Sequence, residues 1–314
     1  MPATRPAMQL SQPPPLRAGD RVALVAASSA LADGQRLAAG LALLRDWGLQ
    51  PDSDGTALLN RRWGYMAGRD EERAADLAGA EGAPLLACVR GGWGAARLLE
   101  RLARQPGGWL LGFSDVTSLL WARLAAGLGG GVHGPLLTTL AAEPAWSQKR
   151  LRSLLFGEVL QPLTGTPWRG GVAEGPLLVA NLTVATRLLG TPHLPCLEGA
   201  ILVLEDVGEA PYRIERMLTH WRLCGARQQL AGIGLGRFSG CVDRDRQSDP
   251  AEQRFSVEQV LRERTTDLNI PVVADLPVGH EPGNAALPLG VPARLDADRG
   301  LLELAAASAG GGPG

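Results

Sequence analysis

Residues 109–127 read WLLGFSDVTSLLWARLAAG, an apolar run that passes directly into an amphipathic one. The apolar part, Trp109 to Phe113, predicts a buried strand. The part from Val116 to Ala126 predicts a helix, because its apolar residues recur at helical spacing. The segment from Gly112 to Asp115 therefore lies at a strand-to-helix turn. A serine at such a turn is exposed, and the first N–H groups of the helix point at whatever binds beside it.

The same alternation extends towards the amino terminus. Arg21 to Ala27 predicts a strand and Asp33 to Trp47 a helix, while a second helix at Asp70 to Ala80 precedes the strand-like stretch 84–89. Strands that alternate with helices are typical of parallel βαβ units in an α/β sheet. We therefore expect an N-terminal parallel-sheet α/β domain at residues 17–145, with a nucleophile elbow at the turn described above.

Composition predicts the other boundaries. Residues 1–16 are rich in proline and are expected to form a disordered lead-in, and the glycine-rich residues 306–314 a flexible tail. Glycine and proline also crowd the middle of the chain, so a linker is expected at residues 146–175. Residues 176–305 would then form a smaller C-terminal domain of the α+β class.

Charge and cysteine content exclude several classes of function. The chain has 31 basic and 32 acidic residues and no run of Lys or Arg, so no nucleic-acid partner is expected. Its apolar stretches fall short of the roughly 18 residues that span a bilayer, and the first residues lack the apolar core of a signal peptide. The four cysteines form no C-x-x-C pair, so neither a disulfide framework nor a zinc site is expected. The interpretation is a cytoplasmic protein without a membrane partner.

Ser114, in the turn, has two interpretations. An acyl-transfer nucleophile needs preset N–H donors for the oxyanion that its attack creates, and a helix start supplies them. Serine and aspartate also occur at such junctions simply as helix caps. The pattern differs from the hydrolase motif G-x-S-x-G, because Val116 takes the place of the second glycine. Taken alone, the residues leave both interpretations open.

A glycine-rich segment, Arg90-Gly91-Gly92-Trp93-Gly94, follows the strand-like stretch that ends at Val89. Glycines let a backbone approach a ligand closely and present its N–H groups. The segment matches neither G-x-G-x-x-G nor the P-loop, so the motif does not indicate a phosphate site. A plain tight turn is the alternative.

A serine nucleophile needs a base, and the chain has four histidines. His280 lies among turn residues after an apolar run, whereas His193 and His220 lie in apolar or helical surroundings and are expected to be structural. His133 is a further candidate, in the segment GVHGP. Glu205 closes the apolar run ILVL, where a carboxylate needs a partner such as an imidazolium. The alternative for Glu205 is an acid at a strand end that faces water.

Six segments in one order resemble the LD-carboxypeptidases of the muramoyl-tetrapeptide carboxypeptidase type: RGGWGAARLL, GFSDVT, VHGP, NLTVATRLLGTP, ILVLEDVGEAPYRIERML and PVGHEPGNAALPLG. The resemblance covers about residues 18–300. It implies a catalytic triad of Ser114 as nucleophile, His280 as base and Glu205 as the residue that orients the base. It also implies that the backbone N–H groups of Gly92 and Asp115 form the oxyanion hole.

The resemblance further implies an active site between the two domains, a homodimer, and no metal or organic cofactor. The expected substrate is a cytoplasmic murein tetrapeptide, which loses its terminal D-Ala during peptidoglycan recycling. Arg90, Gly91, Trp93 and Asn181 are the expected substrate-binding residues. The chain departs from the family pattern at Ala26-Ala27-Ser28, at Phe113 and at Ala180, and the last of these leaves the detailed shape of the substrate cleft open.

Two alternatives accompany this prediction. Microcin C immunity proteins resemble the same family and use the same chemistry on a peptidyl-nucleotide antibiotic. Aromatic loop residues recognise its adenine, and no clear insertion of that kind is visible here. The second alternative is a non-catalytic protein whose glycine-rich segment holds an anion.

Overall fold

Two β-sheets organise the chain. The structure, a computed structural model, describes residues 10–102, 104–244, 250 and 253–304. Its strands in chain order are β1 (Arg21–Val25), β2 (Gln50–Pro51), β3 (Leu85–Cys88), β4 (Trp109–Gly112), β5 (Gly131–His133), β6 (Leu163–Thr164), β7 (Thr166–Arg169), β8 (Val172–Asn181), β9 (Ile201–Val207), β10 (Gly232–Ser239), β11 (Val272–Ala274), β12 (Leu287–Pro288), β13 (Pro292–Asp296) and β14 (Leu301–Leu304).

The α-helices that connect and cover these strands are α1 (Gly34–Asp46), α2 (Thr56–Leu59), α3 (Asp70–Gly79), α4 (Thr117–Ala125), α5 (Leu137–Leu140), α6 (Ala145–Leu155), α7 (Leu182–Leu188), α8 (Pro211–Leu223) and α9 (Val257–Thr265). Within the described ranges, no helix has both the length and the apolar composition that crossing a membrane requires.

The first sheet has the strand order β12-β5-β4-β3-β1-β2 in the described part of the chain. Strands β1 to β5 pair in parallel, and β3 and β4 are buried along their whole length. Burial on both faces is typical of parallel strands that are covered by helices above and below. The predicted α/β class with a parallel first sheet is confirmed.

The second sheet has the order β6-β14-β13-β8-β9-β10-β11-β7. Its central strands β8 to β11 are parallel, and the flanking strands pair antiparallel. The chain then returns to the first sheet, because β12 pairs with β5. This return joins the two halves of the molecule close to the carboxyl ends of the parallel strands, where α/β proteins bind their ligands.

Helix α4, which directly follows the Ser114 turn, packs against the second half of the chain. The indole Nε1 of Trp121 donates to the carbonyl of Val179 at 3.0 Å, and its ring lies edge-on to Trp221 with the centroids 6.2 Å apart. Both indoles are fully buried within one apolar cluster that includes side chains from the two sheets. The Ser114 turn and α4 are therefore held between the two sheets.

The middle of the chain differs from the expected linker at 146–175. Helix α6 packs its apolar face into the first half, and the later residues form β6, β7 and the start of β8 in the second sheet. Pro167 is compatible with β7 because β7 is an edge strand, which can lack one N–H donor. Glycine and proline here mark the corners of short strands rather than a free connection.

The expected disordered lead-in differs in part from the structure. Residues 10–16 of the expected lead-in lie against the first half, with Leu16 buried and the Pro14 carbonyl accepting a hydrogen bond from Trp109 Nε1. Residues 1–9 and the expected tail at 306–314 lie outside the described residues. The residues that follow the glycine-rich segment form a short 3₁₀ helix, Ala95–Glu100.

Candidate active site

Ser114 occupies a strained turn between β4 and α4. Its φ angle is +63°, in the left-handed region that residues with a Cβ rarely adopt. Residues Ser114–Val116 form one 3₁₀ turn that leads into the helix. A Cβ on Gly112 would lie 2.8 Å from Cγ1 of Val116, so the turn closes only with glycine at that position. The strand, the strained serine and the helix together have the strand–turn–helix geometry of a nucleophile elbow.

The glycine-rich segment lies directly against this serine. A Cβ on Gly91 would lie 3.1 Å from Cβ of Ser114, and a Cβ on Gly92 would lie 2.3 Å from Oγ of Ser29. Gly92 also has a φ of +107°, which favours glycine. Within the described ranges, the N–H groups of Gly92 and Asp115 have no hydrogen-bond partner. They are therefore free to bind an incoming anionic oxygen.

The structure brings Ser114, His280 and Glu205 together. The Nε2 atom of His280 lies 3.0 Å from Oγ of Ser114, and its Nδ1 atom lies 2.7 Å from Oε2 of Glu205. The histidine side chain is 18% exposed and the glutamate is fully buried. Ser114 is half-buried, so the serine end of these contacts is nearer to solvent than the glutamate end. Phe113 packs beside the imidazole, with the ring centroids 4.7 Å apart.

Burial dominates the electrostatics of the acid. It raises the pKa of the Glu205 carboxyl, and the hydrogen bond and charge of His280 oppose that rise. Gly279 has a φ of +135°, and a Cβ there would lie 3.3 Å from Oε2 of Glu205. The backbone that carries His280 therefore passes directly over the carboxylate. The contact between Nδ1 of His280 and Oε2 of Glu205 favours the tautomer that carries hydrogen on Nδ1. This tautomer leaves Nε2 free to accept the serine proton.

His133, the other candidate base, is buried beside Phe113 and takes no part in these contacts. Within the described part of the chain, neither of its ring nitrogens has a hydrogen-bond partner. Burial, together with the charge of His280, lowers the pKa of His133 to about 3. The ring is therefore a neutral core group at neutral pH.

Buried charges support both segments around Ser114. The Asp115 carboxylate accepts a hydrogen bond from the N–H of Ala95 at 2.8 Å, and burial raises its pKa. Arg73 is fully buried, donates to the carbonyl of Gly94 at 2.8 Å and pairs with Asp70 at 2.5 Å. Arg73 is a supporting residue that no sequence motif indicated. Its only local signal is the Asp70–Arg73 spacing of three residues on one helix face.

The expected substrate-binding residues divide into two groups. Trp93 is 53% exposed and its N–H donates to Oγ of Ser29, so its indole borders the open side of the glycine-rich segment. Arg90 donates to the carbonyl of Ala30 at 2.7 Å, and this bond holds the segment in place. Gly91 is buried under Ser114. Only Trp93 presents an open surface.

Asn181 differs from the expected substrate contact. It is 4% exposed, caps α7 by accepting a hydrogen bond from the N–H of Val184, and donates to Asp206 at 3.0 Å. Its polar atoms are therefore already used inside the protein. Ala180 is also fully buried, within β8, so its side chain adds to the core and does not line a cleft.

A cavity of about 420 Å³ borders the imidazole of His280. Its walls include Phe113, Thr138, Thr139 and Glu143. It provides room for a small group next to the proposed base. In the described residues, no three His, Cys, Asp or Glu side chains come together in a way that could hold a metal ion.

Comparisons with known proteins show the family to which the chain is similar. The family model of the LD-carboxypeptidase N-terminal domain matches residues 22–134, and that of the C-terminal domain matches residues 174–295. A Synechocystis sp. protein is 48% identical over 299 residues, which is 93% of this chain and 96% of that protein. Its name describes it as a carboxypeptidase. The murein tetrapeptide carboxypeptidase of Pseudomonas aeruginosa is 36% identical over 89% of this chain and 94% of its own length.

Solved structures agree with this comparison. The muramoyltetrapeptide carboxypeptidase from Oxalobacter formigenes matches 90% of this chain and 97% of its own, with a TM-score of 0.78 and 26% identity. The wild-type microcin C7 self-immunity protein matches 94% of this chain and 98% of its own, with a TM-score of 0.81. That second match has 21% identity and shows a shared fold.

Proposed function

The chain belongs to the LD-carboxypeptidase family, and we propose that it is the serine carboxypeptidase that releases the terminal D-Ala of murein tetrapeptides by hydrolysing their L,D-peptide bond. The observation that carries this proposal is the continuous contact from Ser114 through His280 to Glu205, at 3.0 and 2.7 Å. The family members from Pseudomonas aeruginosa and Oxalobacter formigenes, whose names describe this substrate, support it.

In this mechanism Nε2 of His280 takes the proton of Ser114 while Oγ attacks the scissile carbonyl. Glu205 holds Nδ1–H and stabilises the imidazolium that forms, without itself becoming protonated. The oxyanion is bound by the N–H groups of Gly92 and Asp115, which lie in the two segments that flank Ser114. The positive φ of Ser114 supports this arrangement, because it lifts the hydroxyl off the end of β4.

The leaving amine then takes the proton from His280, and D-Ala departs. A water molecule enters, loses its proton to the same Nε2 atom and attacks the acyl-enzyme. The second tetrahedral intermediate collapses, and Oγ of Ser114 recovers the proton from His280. The cavity beside His280 supports this sequence, since the leaving group must be next to the group that protonates it.

We further propose that the enzyme works in the cytoplasm, in peptidoglycan recycling, as a homodimer. The four free cysteines support a reducing compartment. Light scattering on the purified protein tests the dimer, and a mass of one chain, 33.0 kDa, would contradict it.

The rival substrate is a peptidyl-nucleotide of the microcin C type. The microcin C7 self-immunity protein of Escherichia coli is 29% identical over 129 residues, which is 41% of this chain. The murein carboxypeptidase match covers more than twice that share of the chain at higher identity. The murein peptide is therefore the better supported substrate.

Mass spectrometry of the reaction products tests the proposal. The purified protein is incubated separately with murein tripeptide, tetrapeptide and pentapeptide, and with aspartyl sulfamoyl adenosine. We expect the loss of one alanine from the tetrapeptide alone, and no product with the Ser114→Ala variant. Cleavage of the aspartyl conjugate with no attack on the tetrapeptide would overturn the murein assignment and support the nucleotide one.

A further inference from the structure

The loop that carries His280 must be positioned across the two halves of the molecule. It follows β11 of the second sheet, and Glu205 lies in β9 of the same sheet. Ser114 follows β4 of the first sheet. The His280–Glu205 contact lies within the second half, but the His280–Ser114 contact joins the two. The distance from Nε2 to Oγ therefore depends on how residues 279–284 lie against the first half.

Glu143, between α5 and α6 of the first half, binds this loop directly. One carboxylate oxygen, Oε2, accepts hydrogen bonds from the N–H of Gly283 at 2.6 Å and from the N–H of Asn284 at 3.0 Å. The side chain is only 9% exposed. A buried carboxylate is costly unless hydrogen bonds satisfy it, and charge-assisted bonds of this kind are stronger than neutral ones.

The residues that follow Glu143 hold the same loop. Oγ of Ser147 donates to the carbonyl of Asn284 at 2.8 Å. The indole of Trp146 lies so close to Gly283 that a Cβ there would be 2.8 Å from Cζ2. Residues 143–147 thus contact the loop through a carboxylate, a hydroxyl and a ring.

Asn284, which residues 143–147 contact, also binds the backbone next to His280. Its side-chain Oδ1 accepts a hydrogen bond from the N–H of Gly279 at 3.0 Å, which closes the loop at its base. On the opposite side, Arg237 of the second half donates to the carbonyls of Glu281 and Pro282. The loop is therefore held from both halves, and Glu143 supplies the charged contact from the half that bears Ser114.

We propose that Glu143 is a positioning residue that holds Nε2 of His280 at hydrogen-bond distance from Oγ of Ser114. This inference rests on the proposed function, because it takes Ser114 and His280 as the reacting pair. Without the carboxylate, the two loop N–H groups lose their acceptor and the imidazole is free to move away from Oγ. A displacement of about 1 Å in a catalytic group costs up to about 100-fold in rate.

The test compares Glu143→Ala and Glu143→Gln with the wild type in two assays on the full chain. The first is tetrapeptide hydrolysis, analysed for kcat and KM separately. The second is the rate at which a fluorophosphonate probe labels Ser114, which reports the Ser114–His280 pair without any peptide. Glu158→Ala is the matched control, because that carboxylate also accepts hydrogen bonds at the end of α6 but lies outside the site.

We expect Glu143→Ala to lower kcat and the labelling rate together, each by about 10- to 100-fold, with KM changed less than about twofold. Glu143→Gln should restore most of both rates, since its amide oxygen can still accept the two N–H groups. Glu158→Ala should leave both rates unchanged. A merely structural role for Glu143 would lower thermal stability while the folded fraction kept its kcat.

Three results would overturn the inference: wild-type labelling in folded Glu143→Ala, a fall in kcat without a fall in labelling, or equal losses in the alanine and glutamine variants. If Glu143→Ala does not fold, Ser147→Ala decides, with a parallel fall in both rates in favour and unchanged rates against. If the wild type labels on Ser114 but leaves the tetrapeptide intact, the proposed substrate fails while the labelling rates still test Glu143.

Discussion

Oγ of Ser114 lies 3.0 Å from Nε2 of His280, although the two residues are 166 positions apart and follow strands of different sheets. A positive φ angle occurs at or directly before each of the two residues. Ser114 itself has a φ of +63°, and Gly279, which precedes His280, has a φ of +135°. Strained conformations of this kind persist where surrounding packing determines them, and they concentrate at functional sites.

Glu205→Gln should reduce the hydrolysis rate by about 10⁴-fold, because a neutral amide can stabilise the wrong tautomer of His280 and gives no charge to the imidazolium. Probe labelling of Ser114 should persist in part, since the nucleophile remains. Stability should change little, because the amide has nearly the volume of the carboxyl. Initial rates of D-Ala release and thermal denaturation measure the two effects.

The neighbouring acids Asp206 and Glu209 serve as controls for this result. Asp206 accepts hydrogen bonds from Asn181 and from both the N–H and the hydroxyl of Thr183. Asp206→Asn should therefore lower the free energy of unfolding by about 1–3 kcal/mol, because an amide cannot accept all of these bonds. Glu209→Gln should keep normal activity. Near-normal activity in Glu205→Gln, with collapse in either neighbour, would mean that a different acid orients His280.

Gly92→Ala should lower kcat by about 10²- to 10³-fold, the usual cost of losing one oxyanion donor. An alanine Cβ would lie 2.3 Å from Oγ of Ser29, so the segment must shift and its N–H would move away from the oxyanion. Gly82→Ala is the control, since Gly82 also has a positive φ but has open space around it. Equal activities of the two variants would contradict the role of the Gly92 N–H.

Because His133 is buried in its neutral form, we expect the free energy of unfolding to decrease as the pH falls from about 6.5 to about 3. Burial lowers the pKa of His133 to about 3, whereas the unfolded chain takes up that proton near pH 6.5. Within this window the unfolded state binds more protons, so the free energy of unfolding decreases with decreasing pH. His133→Gln removes this contribution. Urea denaturation at several pH values should give a shallower acid loss for the variant, and parallel curves would rule out the buried neutral histidine.

The sequence predicts the elbow well because its signal is local. The run from Trp109 to Ala126 switches from a continuous apolar stretch to helical periodicity within a few residues, and the structure places β4, the turn and α4 there. The positive φ of Ser114 could not be predicted from the sequence, because it depends on how the glycine-rich segment and Val116 pack around the turn. Local propensity does not contain that information.

Roles that depend on distant contacts were also not predictable. Glu143 contacts residues about 140 positions away, and nothing in its own segment indicates a hydrogen-bonded carboxylate. Asn181 resembled a substrate contact from its motif, but its amide caps α7 and holds Asp206. The glycine- and proline-rich middle of the chain resembled a linker because edge strands and free connections share that composition.

The most direct test of the account is the rate of D-Ala release by Ser114→Ala, by His280→Ala and by the double variant, with circular dichroism to show that each is folded. Members of a triad act as a unit, so each single change should cost about 10⁴-fold or more and the double change little beyond that. If folded Ser114→Ala kept more than about a tenth of the wild-type rate, a loss far too small for a nucleophile, the central claim would be wrong.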